Sequence, residues 1–167
     1  MINRRRHTRA PINTKVISIT QDVTKINIIK DVSYSGVFIE TVDLKDIGDV
    51  LYLIFPLHEP DKTVQTYAKV VRRVEPVSDD DYTVPGIGLE FIDMPFESSI
   101  LIENYVVMAK YAYEELLLLT TMKNPDIERI GQVLKKVKME DYKDFFELKD
   151  KVQKICFALG IIKSSEE

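Results

Sequence analysis

The sequence predicts a mainly β fold with α: a six-stranded antiparallel barrel or sandwich, then a C-terminal helical extension of about three helices. Three observations carry this expectation. Up to about Asp93 the chain has six short runs rich in β-branched residues that read in period two. Pro56, Pro60, Pro76 and Pro85 punctuate the breaks between the later runs. From Pro95 the apolar residues change to helical spacing. Short strands at regular intervals favour closed or sandwiched antiparallel sheets over an open parallel one.

The elements follow in order. Residues 15–20, 24–29 and 36–40 form the first three runs, separated by polar breaks at Gln21-Asp22 and from Asp31 to Ser35. Residues 50–55, 63–74 and 86–91 continue the series, and the acidic Ser78-Asp79-Asp80-Asp81 reads as a solvated hairpin loop. Ser98-Ser99 is placed to cap a helix carrying Ile100, Leu101, Tyr105, Met108, Tyr111 and Ala112, reaching Leu119 or beyond. Asn124-Pro125-Asp126 stops that helix and starts a second one through about Lys138. A third is expected from near Glu140 to Gly160, with Phe145, Leu148, Val152, Ile155, Cys156 and Leu159 as its apolar stripe. Leu116 to Leu119 cover every side of the first helix, so its far side calls for the following helices or a second subunit.

Composition bounds the function. The chain has 167 residues, 45% hydrophobic and 30% charged, with a formal net charge of −4. Yet Arg4, Arg5, Arg6, Arg9 and Lys15 share the first 15 residues with no acid, leaving 18 basic residues against all 27 acidic ones in the remainder. Nucleic-acid binding calls for a broad basic face, so this asymmetry favours a small local anion site. Guanidinium groups are planar, permanently charged forks that suit phosphate oxygens and stack on flat rings. Cys156 is the single cysteine and has no internal disulfide partner; with no apolar run suited to a signal peptide or membrane span, a cytoplasmic location is expected.

A second motif, Asp31-Val32-Ser33-Tyr34-Ser35-Gly36, lies between the second and third runs. In an extended segment Asp31 and Ser33 would point to one side, and Gly36 would permit a positive φ and close approach of a ligand to the backbone. A plain β-turn is the alternative reading of this hexapeptide.

Taken together, the two motifs resemble those of the PilZ family of cyclic di-GMP receptors: an Arg-x-x-x-Arg pair before the first strand, then Asp-x-Ser-x-x-Gly between the second and third. Arg5 and Arg9 match the first, and Asp31, Ser33 and Gly36 match the second. The agreement spans roughly residues 3 to 105, including the run Gly86-Ile-Gly-Leu-Glu-Phe91. The resemblance implies a PilZ-type barrel over residues 1–105 with an arginine arm, and a helical extension over 106–167 whose first helix starts near residue 97.

It also implies a bacterial, non-enzymatic second-messenger receptor whose ligand is cyclic di-GMP, with no other cofactor. Arg5 and Arg9 are then expected to contact phosphate and guanine, and Asp31 to accept from a guanine's donor edge. Ser33 and Gly36 would complete the pocket floor. Arg4 resembles the residue that in this family accompanies an intercalated ligand pair, which favours two molecules per chain. Arg6, on another side of an extended arm, is an open candidate. An arm with four like charges and few apolar anchors is expected to be mobile when empty and to fold across the barrel mouth when phosphates neutralise it.

Other chemistries are poorly supported. A metal site from His7, His58 and Cys156 needs three distant segments to converge. Ser33 and Ser35 lack a nucleophile elbow, and Glu90 and Asp93 read as solvated acids. Of Arg72-Arg73, one side chain is placed to extend an anion site, although an exterior charge is the simpler reading. The expected partners are cyclic di-GMP and a protein, or a second copy, at the C-terminal helices. The rival readings are a PilZ-like interaction module that binds no nucleotide and, less favoured, a nucleic-acid binder using the arginine arm.

Overall fold

The computed structural model of the protein describes residues 8–21, 23–139 and 142–163. Six strands, β1 (Ala10–Thr20), β2 (Val23–Val32), β3 (Gly36–Glu40), β4 (Val50–Pro56), β5 (Thr63–Val74) and β6 (Gly86–Ile92), precede three helices, α1 (Phe96–Thr121), α2 (Ile127–Lys136) and α3 (Phe145–Ala158). The strands close into a barrel in the order β1-β2-β3-β6-β5-β4, and every pairing is antiparallel.

Period-two patterning fills the barrel. Alternate residues of β1 (Ala10, Ile12, Thr14, Val16, Ser18) and of β5 (Val64, Thr66, Ala68, Val70) are buried. Ile29, Val32, Val37, Ile39, Leu53, Phe55 and Leu89 join them inside. Closure leaves no open sheet edge, which suits a barrel with one short strand.

Two strand boundaries differ from the sequence expectation, and both matter for the site. β1 begins at Ala10 rather than Lys15: its in-and-out alternation runs unbroken from Ala10, and a register shift in the pairing with β2 between Pro11 and Thr14 accommodates the proline, which has no N–H to give. β2 continues through Asp31 and Val32 after a shift between Ile29 and Asp31 in its pairing with β3. Asp31 therefore stands on a strand, and the turn is confined to residues 33–35.

The helices run on from the barrel as one continuous core with it. α1 starts after Pro95 with no side-chain cap. Ser98 and Ser99, expected as caps, lie inside its first turn. The Ser98 hydroxyl accepts from the Gln65 backbone N–H (3.0 Å) and donates to the Gln65 carbonyl (3.2 Å), while Ser99 bonds back to the Phe96 carbonyl. Ser98 thus serves β5 just where its pairing with β6 has ended. The Tyr105 hydroxyl, deeper in the core, donates to the Pro11 carbonyl at 2.7 Å, fixing the irregular start of β1 to α1.

Asp126 caps α2 by accepting from the Arg129 backbone N–H, and α2 ends at Lys136, slightly short of the expected Lys138. α3 begins after its cap Asp144, later than the expected Glu140, and ends against Gly160 at φ +74°, where glycine is favoured. Leu148, Val152, Cys156 and Leu159 are buried along α3, with Phe145 and Ile155 packed at the edge. Of the four leucines, Leu116 is buried, Leu117 and Leu119 are half-buried, and Leu118 faces outward. α2 and α3 pack on one side of α1, and among the described residues its other side, with Phe96, Val107, Tyr111 and Leu118, is exposed.

Candidate functional site

The sequence-predicted site residues that the structure describes converge on one rim of the barrel. Register places Asp31 opposite Pro11 and Val32 opposite Ala10. Arg9, just before β1, is then diagonal to Asp31, within the reach of a long side chain. Its Nη1 donates to Asp31 Oδ1 at 2.7 Å, and the two side chains are 22% and 29% exposed, so the pair is neither buried nor fully solvated. A planar guanidinium tied by one nitrogen keeps further donors for an anion. Arg4, Arg5 and Arg6 lie outside the described residues.

Ser33 and Gly36 play parts that differ from the expectation. Ser33 is not extended alongside Asp31; it is buried within the turn, where its hydroxyl accepts from the Ser35 N–H (3.3 Å) and lies 3.2 Å from Ser35 Oγ and 3.4 Å from the Gly36 carbonyl. The Ser33 N–H also donates to the Gly36 carbonyl at 2.9 Å. Ser33 therefore closes the turn that ends β2. Gly36 does not have a positive φ. Its requirement is steric: a Cβ there would lie 2.0 Å from the Leu89 carbonyl oxygen on β6. The glycine lets β3 start in tight register against β6, opposite Glu90, and so holds the turn on the barrel wall.

Sequence reasoning missed Phe38 and undervalued Arg72. Following the ladder outward from Asp31, the same row crosses to Phe38 on β3, Gly88 on β6 and Arg72 on β5. Asp31, Phe38 and Gly88 alternate with the interior Val32, Val37 and Leu89, and the register shift between Val70 and Arg72 turns Arg72 to the same side, so the row lies on the outer wall. With no side chain at Gly88, Arg72 lies across the gap, its Cβ and Nε 3.3 and 3.4 Å from where a Gly88 Cβ would stand. Its guanidinium sits 5.5 Å from the Phe38 ring centroid, a cation–π contact. Arg73 turns away to Asp46, 3.7 Å distant. The outcome is a strip of carboxylate, aromatic ring and two guanidinium groups across the four strands β2, β3, β6 and β5. Only cross-strand register brings these residues together, and sequence spacing gives no signal for it.

The alternatives lack a constellation. Among the described residues no group of three His, Cys, Asp or Glu side chains is arranged for a metal ion, and no helix is long and apolar enough to cross a membrane. Cys156 is buried with its thiol donating to the Tyr113 carbonyl, and burial pushes its pKa up to about 11, which leaves it a packing residue rather than a nucleophile.

Comparison with known proteins bears on this site. No curated protein matches the chain. Among solved structures it is similar to the Bacillus subtilis inhibitor of motility MotI/DgrA, at 20% identity and a TM-score of 0.51, over 62% of this chain and 49% of that one. It is also similar to the PilZ domain with c-di-GMP of YcgR from Escherichia coli, at 13% identity and a TM-score of 0.52, over 68% and 96% of the two chains. A K. pneumonia MrkH–c-di-GMP complex matches at 13% identity and a TM-score of 0.54, over 69% of this chain and 56% of that one. The protein thus spans about half the length of the MotI/DgrA and MrkH chains, and at these identities the likeness is one of fold. The family profile for the PilZ domain matches residues 3–107, well over half of the chain, in step with the closed barrel and its Asp31 to Gly36 turn. This chain belongs to the PilZ domain family.

Proposed function

We propose that this chain is a cyclic di-GMP receptor that reads its ligand on the outer barrel wall and relays occupancy to the helices, without catalysis of its own. The observation that carries the reading is the Arg9–Asp31 pair, which brings the two halves of the motif to hydrogen-bond distance. Family membership and the c-di-GMP complexes among its structural neighbours support it.

The chemistry follows from the strip. Cyclic di-GMP carries two phosphates and two guanines, each guanine with O6 and N7 acceptors on one edge and N–H donors on another. Arg9 donates to phosphate or to O6 and N7 while remaining anchored by Asp31. Asp31 accepts from a guanine's donor edge through Oδ2. Arg72 and Phe38 extend the site with a second cation and a flat apolar surface for a base. Arg4, Arg5 and Arg6 bring further charge from the arm, and two stacked ligand molecules per chain match that many arginines. Each charge-assisted hydrogen bond contributes on the order of 1.5–3 kcal/mol, less where the arginine stays solvated.

A path to the helices is built in. Arg9 is two residues from Pro11, whose carbonyl accepts from Tyr105 on α1. Ligand that re-aims Arg9 therefore loads the segment that α1 holds. Binding folds residues 1–9 over the rim, so hydrogen exchange across residues 1–12 is expected to slow with saturating ligand, and unchanged exchange would contradict the arm's role.

Calorimetry on variants tests the site itself. Arg5→Ala and Arg9→Ala are each expected to weaken binding by about tenfold or more, and Arg72→Ala by a smaller factor. Wild-type affinity in Arg5→Ala and Arg9→Ala would remove these residues from the site. Arg4→Ala is expected to reduce the stoichiometry from two to one. Absence of any heat with the wild-type chain would favour the interaction-module reading.

A further inference from the structure

α1 carries a second apolar face that none of the described residues covers. Its buried residues, Ser98, Ile102, Tyr105, Val106, Ala109, Ala112, Tyr113, Leu116 and Thr120, centre on one side of the helix. On the opposite side Phe96 (76% exposed), Ile100, Val107, Tyr111 (69%), Leu118 (68%) and Met122 stand in solvent. At 100° per residue the five helical members, Phe96 to Leu118, fall within an arc of about 60° along the 26-residue helix of about 39 Å, and Met122 follows as the cap residue just past its end.

The order along the stripe is symmetric. Phe96 and Met122, Ile100 and Leu118, and Val107 and Tyr111 are equally distant from residue 109, and so are the two exposed polar residues of the stripe, Asn104 and Glu114. From residue 100 the positions 100, 104, 107, 111, 114 and 118 step by four and three, the spacing of a coiled-coil seam. A face with this order is self-complementary under a two-fold axis, as an isologous interface requires.

We infer that α1 pairs with α1 of a second copy of this chain, antiparallel, with the two-fold axis passing near residue 109. In that register Phe96 packs on Met122, Ile100 on Leu118 and Val107 on Tyr111, each pair occurring twice. Asn104 meets Glu114 of the other copy, an amide donor against a carboxylate acceptor. A parallel arrangement would instead set Glu114 against Glu114. The polar layer therefore selects the antiparallel register, the role that buried polar positions play in helical pairs. The stripe exposes roughly 600 Å² of side chain per copy, at the top of the ~300–600 Å² of a typical monomer's largest apolar patch and below the ~800 Å² per partner of a standard stable interface. The inference does not depend on cyclic di-GMP binding, since none of these residues belongs to the proposed ligand strip.

Sedimentation equilibrium and cysteine cross-linking of the full chain test it. The wild type is expected to be a dimer at micromolar concentration. Tyr111→Glu places two like charges near the axis and is expected to raise the dissociation constant more than about tenfold, with the circular dichroism spectrum unchanged. A wild-type chain that stays monomeric, or a folded Tyr111→Glu that dimerises as well as wild type, would overturn the proposal. Capture of a different protein by a monomeric chain would count in the same direction. Register is read separately. Ile100→Cys mixed with Leu118→Cys is expected to give a disulfide-linked heterodimer, whereas Ile100→Cys linking to itself would overturn the antiparallel arrangement.

Discussion

Replacing Gly36 by alanine isolates the role that the structure gives this residue. The φ angle there is not positive, so a methyl group adds no backbone strain, and reduced freedom of the unfolded chain by itself would stabilise by about 0.4–1 kcal/mol. Against this stands the 2.0 Å approach of the new Cβ to the Leu89 carbonyl oxygen. Reaching ordinary contact at 3.4 Å requires β3 and β6 to part by about 1.4 Å, since the oxygen is strand backbone and the Cβ is fixed directly to strand backbone, with no torsion to turn it aside. Two hydrogen bonds sit at this point, Phe91 N–H to the Ser35 carbonyl and Ser33 N–H to the Gly36 carbonyl, both 2.9 Å. The first bridges the parting strands and would stretch beyond bonding range; the second depends on the turn that parting would distort.

Losing both, at about 1 kcal/mol each, together with 1–3 kcal/mol of overpacking, outweighs the entropic gain and leaves a net loss of about 3 kcal/mol. For a chain of this size that lowers the melting temperature by roughly 6–12 °C in calorimetry or thermal circular dichroism. Gly131→Ala is the control: nothing lies within 4 Å of its added Cβ, it stands in α2, and it is expected to stabilise by about 0.5–1 kcal/mol. A Gly36→Ala protein within about 0.5 kcal/mol of wild type would refute the steric account.

Three further outcomes are expected. Tyr105→Phe removes the hydroxyl that satisfies the Pro11 carbonyl and is expected to destabilise by about 1–2 kcal/mol in urea unfolding, with an unchanged midpoint counting against the anchor. Hydrogen bonding from Arg129 holds the Glu115 carboxyl below its usual range, so the pair's small contribution is present above pH 4.5 and is lost as pH falls; a stability difference between Glu115→Gln and wild type at pH 7 that shrinks towards pH 3 checks this sign. Burial of the Cys156 thiol, with its pKa near 11, predicts negligible reaction with a thiol reagent at pH 8 in the folded protein and rapid reaction in denaturant; comparable rates would contradict its burial.

What the sequence shows and what it conceals follow physical lines. The β-branched runs and the change of period after Pro95 are local signals, and barrel and helices were both legible from them. Strand ends were less so, because Pro11 reads as a strand breaker, while in the fold the strand runs through it by a register shift in its pairing with β2. Ser98 has the residue type of a cap, yet its hydroxyl is claimed by Gln65, 33 residues away in sequence. Gly36 is marked by its motif, but the reason for it, a carbonyl on β6, is tertiary. Arg72 and Phe38 carry no motif at all and meet Asp31 only through the register of four strands. The symmetric stripe on α1 was visible only as excess apolar residues until the covered side was known.

The most direct test of the account is a calorimetric titration of the intact chain with cyclic di-GMP, repeated with a linear guanine dinucleotide. Saturable binding with two cyclic molecules per chain, and markedly weaker binding of the linear form, is the expected result. No binding of cyclic di-GMP, or equal affinity for both forms with a steep salt dependence, would contradict the assignment of the Arg9–Asp31 rim as its receptor site.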